Sequence, residues 1–562
     1  MSSYPVSNDN VSWGASIPMR DGVNLSCDIF FPEQSGKFQT VLLRTPYGKG
    51  TDEIYKVASY FSKKGFVFVA CDVRGRGDSE GIFTPYLSEA RDGYDAIEWC
   101  ARQKWSNGKV ITRGASYSAR IQWLTALTKP PHLAAMISTV SPSDPFVEDP
   151  TCIPSPLVIS WLFLISGRML QNIKNVNWEK IYWHLPLKDI SRLTGREIPF
   201  WDEYFKYRPN DKFWDQLRYQ GRFNEIDVPV LHVSGWYDDE QIGTPLNFAG
   251  MRNNAPSEKA RMSQRLLMGP WPHNVNSAQK LGDIDFGPDS VIDLQGYEVE
   301  WLNLVLSETA TDKHIEDPVR IFVMGSNVWK TFSEWPPKSV SYNSLYLSCK
   351  GSANSRFGSG VLIPTVPEYS SRFDSYVYDP ANPALFIADE NFAQIGGPDD
   401  YSSIERRDDI LVYSTGKLSS DVEVIGPVRA DLYVSSSAVD TDFTAKLLDV
   451  WPNGYAQRLC DGIVRMRYRD GYMDEKYIVP GKIYRVTVDL WNTSNLFRTN
   501  HSIRIEVSSS AFPKYARNLN IRGNPGELES WETAVQKVFH GSSNPSRIIL
   551  PTVGSLDGRF ES

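Results

Sequence analysis

Lys109-Val110-Ile111-Thr112-Arg113-Gly114-Ala115-Ser116-Tyr117-Ser118 is the stretch on which the reading of this chain turns. A short apolar strand runs into Gly114–Ser118, and a helical pattern follows from Ala119 to Leu127. A strand, a turn too sharp for bulky neighbours and an immediate helix start together lift one hydroxyl clear of a sheet edge, the arrangement of a nucleophile elbow. The lifted hydroxyl here is that of Ser116, between the small residues Gly114 and Ser118. The strict pattern has Gly where this chain has Ser118. Taken alone, the pentapeptide is read equally well as a strand-to-helix connection with a capping serine.

Outward from the elbow, strands are expected at Val23–Phe31, Thr40–Arg44, Val67–Val73, Val110–Arg113 and Ala134–Val140. Helices are expected at Asp52–Lys64, Leu87–Gln103 and Tyr117–Leu127. Near-continuous apolar strands separated by amphipathic helices imply a mostly parallel sheet covered on both faces. The pattern resumes at Val228–Ser234, Pro245–Arg252 and Leu266–Met268, with a helix near Tyr297–Leu306. Between the halves, residues 144–225 are rich in aromatic and aliphatic residues with helical periodicity. They are read as a helical cap over the carboxyl ends of the strands. Beyond Asp317, nine short strands separated by Gly, Pro, Asn and Ser take over, beginning at Arg320–Met324, which fits a jelly-roll β-sandwich. The expected organisation is therefore an α/β doubly wound hydrolase-type sheet (1–143 and 226–315), the inserted cap (144–225) and an all-β domain (316–562).

Composition narrows the function. A chain of 562 residues exceeds one core, and its net charge of −8 argues against nucleic acid, which needs a basic surface. The first ten residues lack the basic and apolar regions of a secretory signal. The apolar run Leu157–Ile165 is far short of the ~20 residues that span a bilayer, so a cytoplasmic location is expected. Cys27, Cys71, Cys100, Cys152, Cys349 and Cys460 form no metal or redox spacing.

A serine needs a base to take its proton and a third group to orient that base. In doubly wound hydrolases the chain order is Ser, Asp or Glu, His. Of the seven histidines, His132 precedes the cap, His184 lies within it, His314 is in a charged linker, and His501 and His540 belong to the β-rich region. His232 sits inside a strand. His273, in Met268-Gly-Pro-Trp-Pro-His273, follows a strand directly and is the candidate base. Asp238, first acid after the strand ending in Gly235, is the candidate orienting acid.

Gly114-Ala-Ser-Tyr117, Gly235-Trp-Tyr-Asp238 and Gly269-Pro-Trp-Pro-His273 resemble the motifs of the cocaine esterase and Xaa-Pro dipeptidyl-peptidase-like (S15-type) hydrolases. So do Arg44-Thr-Pro-Tyr47 and Asp72-Val-Arg-Gly-Arg-Gly-Asp-Ser-Glu-Gly81. The resemblance covers essentially the whole chain. It implies Ser116 as nucleophile, His273 as base, Asp238 as orienting acid, and an oxyanion hole from the Tyr47 hydroxyl and the Tyr117 backbone N–H. Where the family usually has Gly three residues after the nucleophile, this chain has Ala119. In the similar α-amino acid ester hydrolases a carboxylate cluster holds the substrate's ammonium. Glu240 matches one of its positions, Gln241 replaces the next acid, and Glu148 or Asp149 could supply another. Trp236 and Trp271 are read as aromatic walls of the acyl site. The loop at Arg74–Gly81 lacks a phosphate-loop spacing and is expected to be a structural turn with internal Asp–Arg pairing.

The function expected is hydrolysis of a small-molecule ester or amide through an acyl-enzyme. An acyltransferase, an Xaa-Pro dipeptidyl peptidase and a non-enzymatic scaffold are the alternatives. No metal or organic cofactor, no nucleic acid and no membrane is expected as a partner, and a homodimer is compatible with the sequence.

Overall fold

The computed structural model of the protein describes residues 10–307, 317–388 and 396–560; His314 and Met1–Asp9 lie outside them. Eight strands, β1 (Val11–Pro18), β2 (Asn24–Phe30), β3 (Phe38–Thr45), β4 (Val67–Asp72), β5 (Ser106–Ala115), β6 (Leu133–Thr139), β7 (Val230–Gly235) and β8 (Arg265–Gly269), make most of one ten-stranded sheet. Its order is β1-β2-β4-β3-β5-β6-β7-β8, continued by Val319–Val323 and Val328–Phe332. From β4 across to Val319–Val323 every pairing is parallel, and both edges close with antiparallel pairs. The central strands are buried on both faces: every residue of β4 and β7 is buried. That requires helices on each side of the sheet, which the chain supplies between the strands.

Helix α1 (Asp52–Lys63) and the helix Leu294–Leu306 pack on one face with Phe61, Phe68, Ile137 and Trp301 at the centre. Helices α2 (Glu89–Ala101) and α3 (Tyr117–Ala126) pack on the other with Ile97, Val110, Tyr117 and Trp123. α1 shows why these segments start where they do. The Thr51 side chain accepts from the Ile54 N–H, Asp52 and Glu53 occupy the first turn, and Lys63 the last, each matched to the helix ends.

Residues 144–225 hold short α- and 3-10 helices and no strand. This cap has no separate core. Its Trp201, Trp214 and Tyr219 are fully buried in the same cluster as α3, and Tyr219 stacks on Trp123 with ring centroids 5.5 Å apart.

From Val340 to Val553 the chain forms an eleven-stranded, almost wholly antiparallel sheet system. Its interior contains not only Leu345, Val424, Phe443 and Ile505 but also Met268 of β8, Trp236 and Tyr237 of the loop after β7, and Phe248 of the helix Gly243–Asn254. One expectation is corrected here. The strand expected at Arg320–Met324 as the first of the sandwich instead pairs in parallel with β8 and extends the first sheet. A short apolar strand followed by a turn reads alike in either setting. The Arg74–Gly81 turn is structural, but its arginines pair outward: Arg74 with Asp92 (2.7 Å) and Asp21 (2.9 Å), and Arg76 donates to the Pro46 and Ile165 carbonyls.

Candidate active site

Ser116 sits between β5 and α3 at φ 58° and ψ −125°, a conformation an L-residue holds only under constraint. The constraint is local. The Ser116 N–H donates to the Thr139 carbonyl at 3.0 Å. A Cβ on Gly114 would lie 2.6 Å from Ser118 Cβ and 2.7 Å from the Ser118 carbonyl oxygen, so only glycine lets the turn close. Beneath it, Tyr117 stacks on Tyr86 with centroids 4.5 Å apart and donates from its hydroxyl to Glu89 Oε1 at 2.8 Å. Glu89 is in turn paired with buried Arg44. Ala119 is fully buried in the first turn of α3 and does not line the cavity.

The Ser116 hydroxyl opens on a cavity of about 190 Å³, walled by α3, the cap and the loop after β7. His273 lies on the loop after β8. Its Nδ1 is 2.8 Å from Asp238 Oδ1, 3.3 Å from Asp239 and 4.0 Å from Glu240. Asp238 is held from behind, its Oδ2 accepting from Ser234 Oγ at 2.6 Å and its Oδ1 from the Glu240 N–H at 3.1 Å. That pairing leaves His273 Nε2 as the nitrogen available to substrate. The donor atoms of Asp238, Asp239 and His273 lie within 4.8 Å of one another, but a proton on Nδ1 and a metal compete for one lone pair.

Ser116 Oγ donates to Glu240 Oε2 at 3.4 Å. The Tyr47 hydroxyl receives the Trp161 indole N–H at 3.0 Å and also faces Ser116. Burial pushes Tyr47 up to about 12, so it is a neutral phenol with its own proton still to give. As the first residue of α3, Tyr117 has a backbone N–H without an intrahelical partner.

The electrostatics are dominated by acids. Burial, with the neighbouring carboxylates, pushes Glu240 up to about 8 and Glu148 well above the carboxylate range, and burial pushes Asp149 up to about 7. Burial opposes protonation of His273, yet Asp239, Asp238 and Glu240 outweigh it and hold the imidazole well above its ordinary range.

Ser116, Asp238, His273, Tyr47 and Glu240 thus converge, and Glu148 and Asp149 join them from the cap. Trp236 and Trp271 do not line the site. The Trp236 indole N–H donates to the Phe322 carbonyl and that of Trp271 to the Ser290 carbonyl, both at 2.7 Å. Their rings fill cores on either side of the sheet end. Gln241 also turns away, into a two-way hydrogen bond with the Asn492 backbone. The cavity residues that the sequence did not single out include Tyr86, Arg120, Trp161, Tyr204 and Asp239. Arg120 carried a signal: it is the one charged residue of an otherwise buried helix, one turn after Ser116.

A doubly wound sheet with a strained serine after the central strand β5, an aspartate after β7 and its histidine after β8 defines a hydrolase of the esterase and peptidase type. Comparison with known proteins agrees. Residues 21–275 match the model of the X-Pro dipeptidyl-peptidase (S15) family, and residues 313–549 that of the X-Pro dipeptidyl-peptidase C-terminal non-catalytic domain. The chain is 33% identical to cocaine esterase from Rhodococcus sp. (strain MB1 Bresler) over 97% of its own length and 99% of that protein's. The chain belongs to this S15 family of hydrolases. Among solved structures it is similar to an aminopeptidase from a marine sediment Thaumarchaeota archaeon, with 26% identity, TM-score 0.83 and 96% of each chain covered. An α-amino acid ester hydrolase shares the fold at 24% identity and TM-score 0.86, with 98% of each chain covered.

Proposed function

We propose that this chain is a serine esterase that cleaves small esters whose acyl group carries an ammonium next to the carbonyl. The observation that carries the reading is Glu240. Its carboxylate lies 3.4 Å from Ser116 Oγ, where the carbon next to a bound carbonyl must be, and Glu148 and Asp149 stand behind it. Burial, joined at Glu240 and Glu148 by repulsion from neighbouring carboxylates, holds these acids above the carboxylate range, and an entering ammonium favours their ionised form.

The chemistry follows from the remaining groups. Rotation of Ser116 away from Glu240 directs its proton to His273 Nε2 while Oγ bonds to the carbonyl carbon. The oxyanion so formed accepts from the Tyr47 hydroxyl and the Tyr117 N–H. The imidazolium, stabilised by Asp238, returns its proton to the departing alkoxide as the carbon–oxygen bond breaks, leaving an acyl-Ser116 ester. Water then attacks that ester, giving its proton to His273, and the free acid leaves with Ser116 restored.

A second reading, in which the leaving group is an amine, is favoured by the similarity to an aminopeptidase. The same acids would then hold a peptide's N-terminal ammonium. Six free, buried cysteines accord with a cytoplasmic enzyme, and no helix among the described residues is long and apolar enough to cross a membrane. The test compares alanine and propionate p-nitrophenyl esters, and alanine p-nitroanilide, on wild type and Glu240→Gln. A preference for the alanine ester that Glu240→Gln reduces at least about tenfold supports the reading, since hydrogen bonds to charged groups are worth ~1.5–3 kcal/mol. Equal losses on both esters would remove ammonium recognition.

A further inference from the structure

Arg120 is a buried cation in this cavity with most of its donors uncommitted. It lies one turn after Ser116 on α3, on the same helix face, and is 4% exposed. One guanidinium nitrogen donates to the Leu217 carbonyl at 3.1 Å, and the group lies 4.7 Å over the Tyr86 ring. Its Nε has no hydrogen-bond partner among the described residues. A guanidinium offers five donors in a planar fork, and a donor left unpaired in a protein interior is a liability that structures rarely keep without a use.

Four acids, Glu148, Asp149, Asp239 and Glu240, line the same cavity, yet among the described residues no carboxylate lies within 4.0 Å of Arg120. The Arg120 charge lowers Glu148, Asp149 and Glu240 against the burial that raises them, but no carboxylate among the described residues takes up its donors. Glu240 stands beside Ser116, while Arg120 lines the same cavity from one turn further along α3. A ligand filling that cavity meets both an acceptor of ammonium and a donor fork.

We propose that Arg120 is a specificity-determining residue that selects acyl groups bearing a hydrogen-bond acceptor, a carbonyl or carboxylate oxygen, on the side chain beyond the carbon next to the ester. The inference rests on the reading of this cavity as the acyl site. It does not require that the acyl group carry an amine. Aliphatic acyl groups of the same size leave the fork unpaired, and a site built around buried donors discriminates strongly against such analogues.

The test reads a ratio, kcat/KM for an acceptor-bearing methyl ester over that for its apolar counterpart. It does so in two series, asparagine against leucine esters and succinamate against 4-methylpentanoate esters. Wild type should favour the acceptor at least about tenfold in both series. Arg120→Met should bring both ratios close to one, and Arg120→Lys should keep part of the preference. Because each ratio compares two substrates on one preparation, a partly folded variant lowers both rates and leaves the ratio unchanged. Inhibition by free asparagine against leucine on the same proteins reads binding without turnover. No preference in wild type, or a ratio unaltered in Arg120→Met, would overturn the proposal. Equal kcat/KM for the asparagine and succinamate esters, with the acceptor preference intact in both series, would uphold Arg120 while removing the ammonium reading.

Discussion

Tyr47 receives a hydrogen bond from Trp161, so its own proton has one direction left, toward the space above Ser116. Tyr47→Phe keeps the ring and removes that proton. The expected loss is about 10²–10³ in kcat with little change in KM, as for removal of other oxyanion donors; steady-state kinetics check it. His273 gives a pH prediction. Three carboxylates hold it protonated beyond the ordinary histidine range, and a base must be neutral to act. The acidic limb of kcat/KM should therefore lie on the alkaline side, and Asp239→Asn should move it down by about 1–3 units. Glu240 predicts stability. Its folded-state pKa is raised, so its contribution is favourable below the unfolded value and is lost as pH rises through about 8. Glu240→Gln, which cannot ionise, should raise Tm by on the order of 1–2 °C above that pH and not near pH 5; scanning calorimetry reads the difference. Ser116, Asp238 and His273 were legible because each is announced by its immediate neighbours, a strand before and a glycine beside. Trp236 and Trp271 shared those neighbourhoods, but which way a ring turns depends on carbonyls, of Phe322 and Ser290, that are remote or unmarked in the chain.

The loop after β7 is the element on which the site depends most. Gln241 donates to the Trp236 and Asn492 carbonyls at 3.1 and 2.8 Å, and the Asn492 N–H donates back at 3.0 Å. Tyr237 accepts from Gln457 at 3.0 Å. The acids of this loop are thereby positioned by the β-rich region as well as by the sheet that bears them, whose Ser234 holds Asp238. Gln241→Leu takes the side-chain partner from three buried backbone groups and should cost on the order of 2 kcal/mol or more. It should also lower kcat and slow serine labelling, since Asp238 lies three residues away; denaturation and labelling rates would show both. Sequence periodicity revealed β2 to β8 and α1 to α3 within a few residues, because burial on two faces writes a continuous apolar run. It missed β1 (Val11–Pro18), whose buried and exposed positions alternate irregularly. It also assigned Val319–Val323 to the wrong sheet, since pairing with β8 is a long-range choice that no local pattern records.

Across the whole molecule, the two sheets share an interior. Trp236, Tyr237, Phe248 and Met268 are buried among Leu345, Val424 and Phe443, so the β-rich region completes the first sheet as well as following it. A chain ending near residue 339 would expose those rings and is expected to be insoluble or inactive; a soluble, active fragment would show the shared interior to be dispensable. The cap is bound as closely, with Trp161 on Tyr47 and Arg76 on the Ile165 carbonyl tying it to the sheet. Its place over the strand ends was legible from composition and position. The identity of its contacts was not, because they pair residues about a hundred positions apart. The central claim is that Ser116 is an activated nucleophile, and intact mass after a fluorophosphonate probe tests it most directly. One adduct on the wild type and none on Ser116→Ala is the predicted result. An unlabelled, folded wild type, or an adduct that survives the substitution, would contradict it.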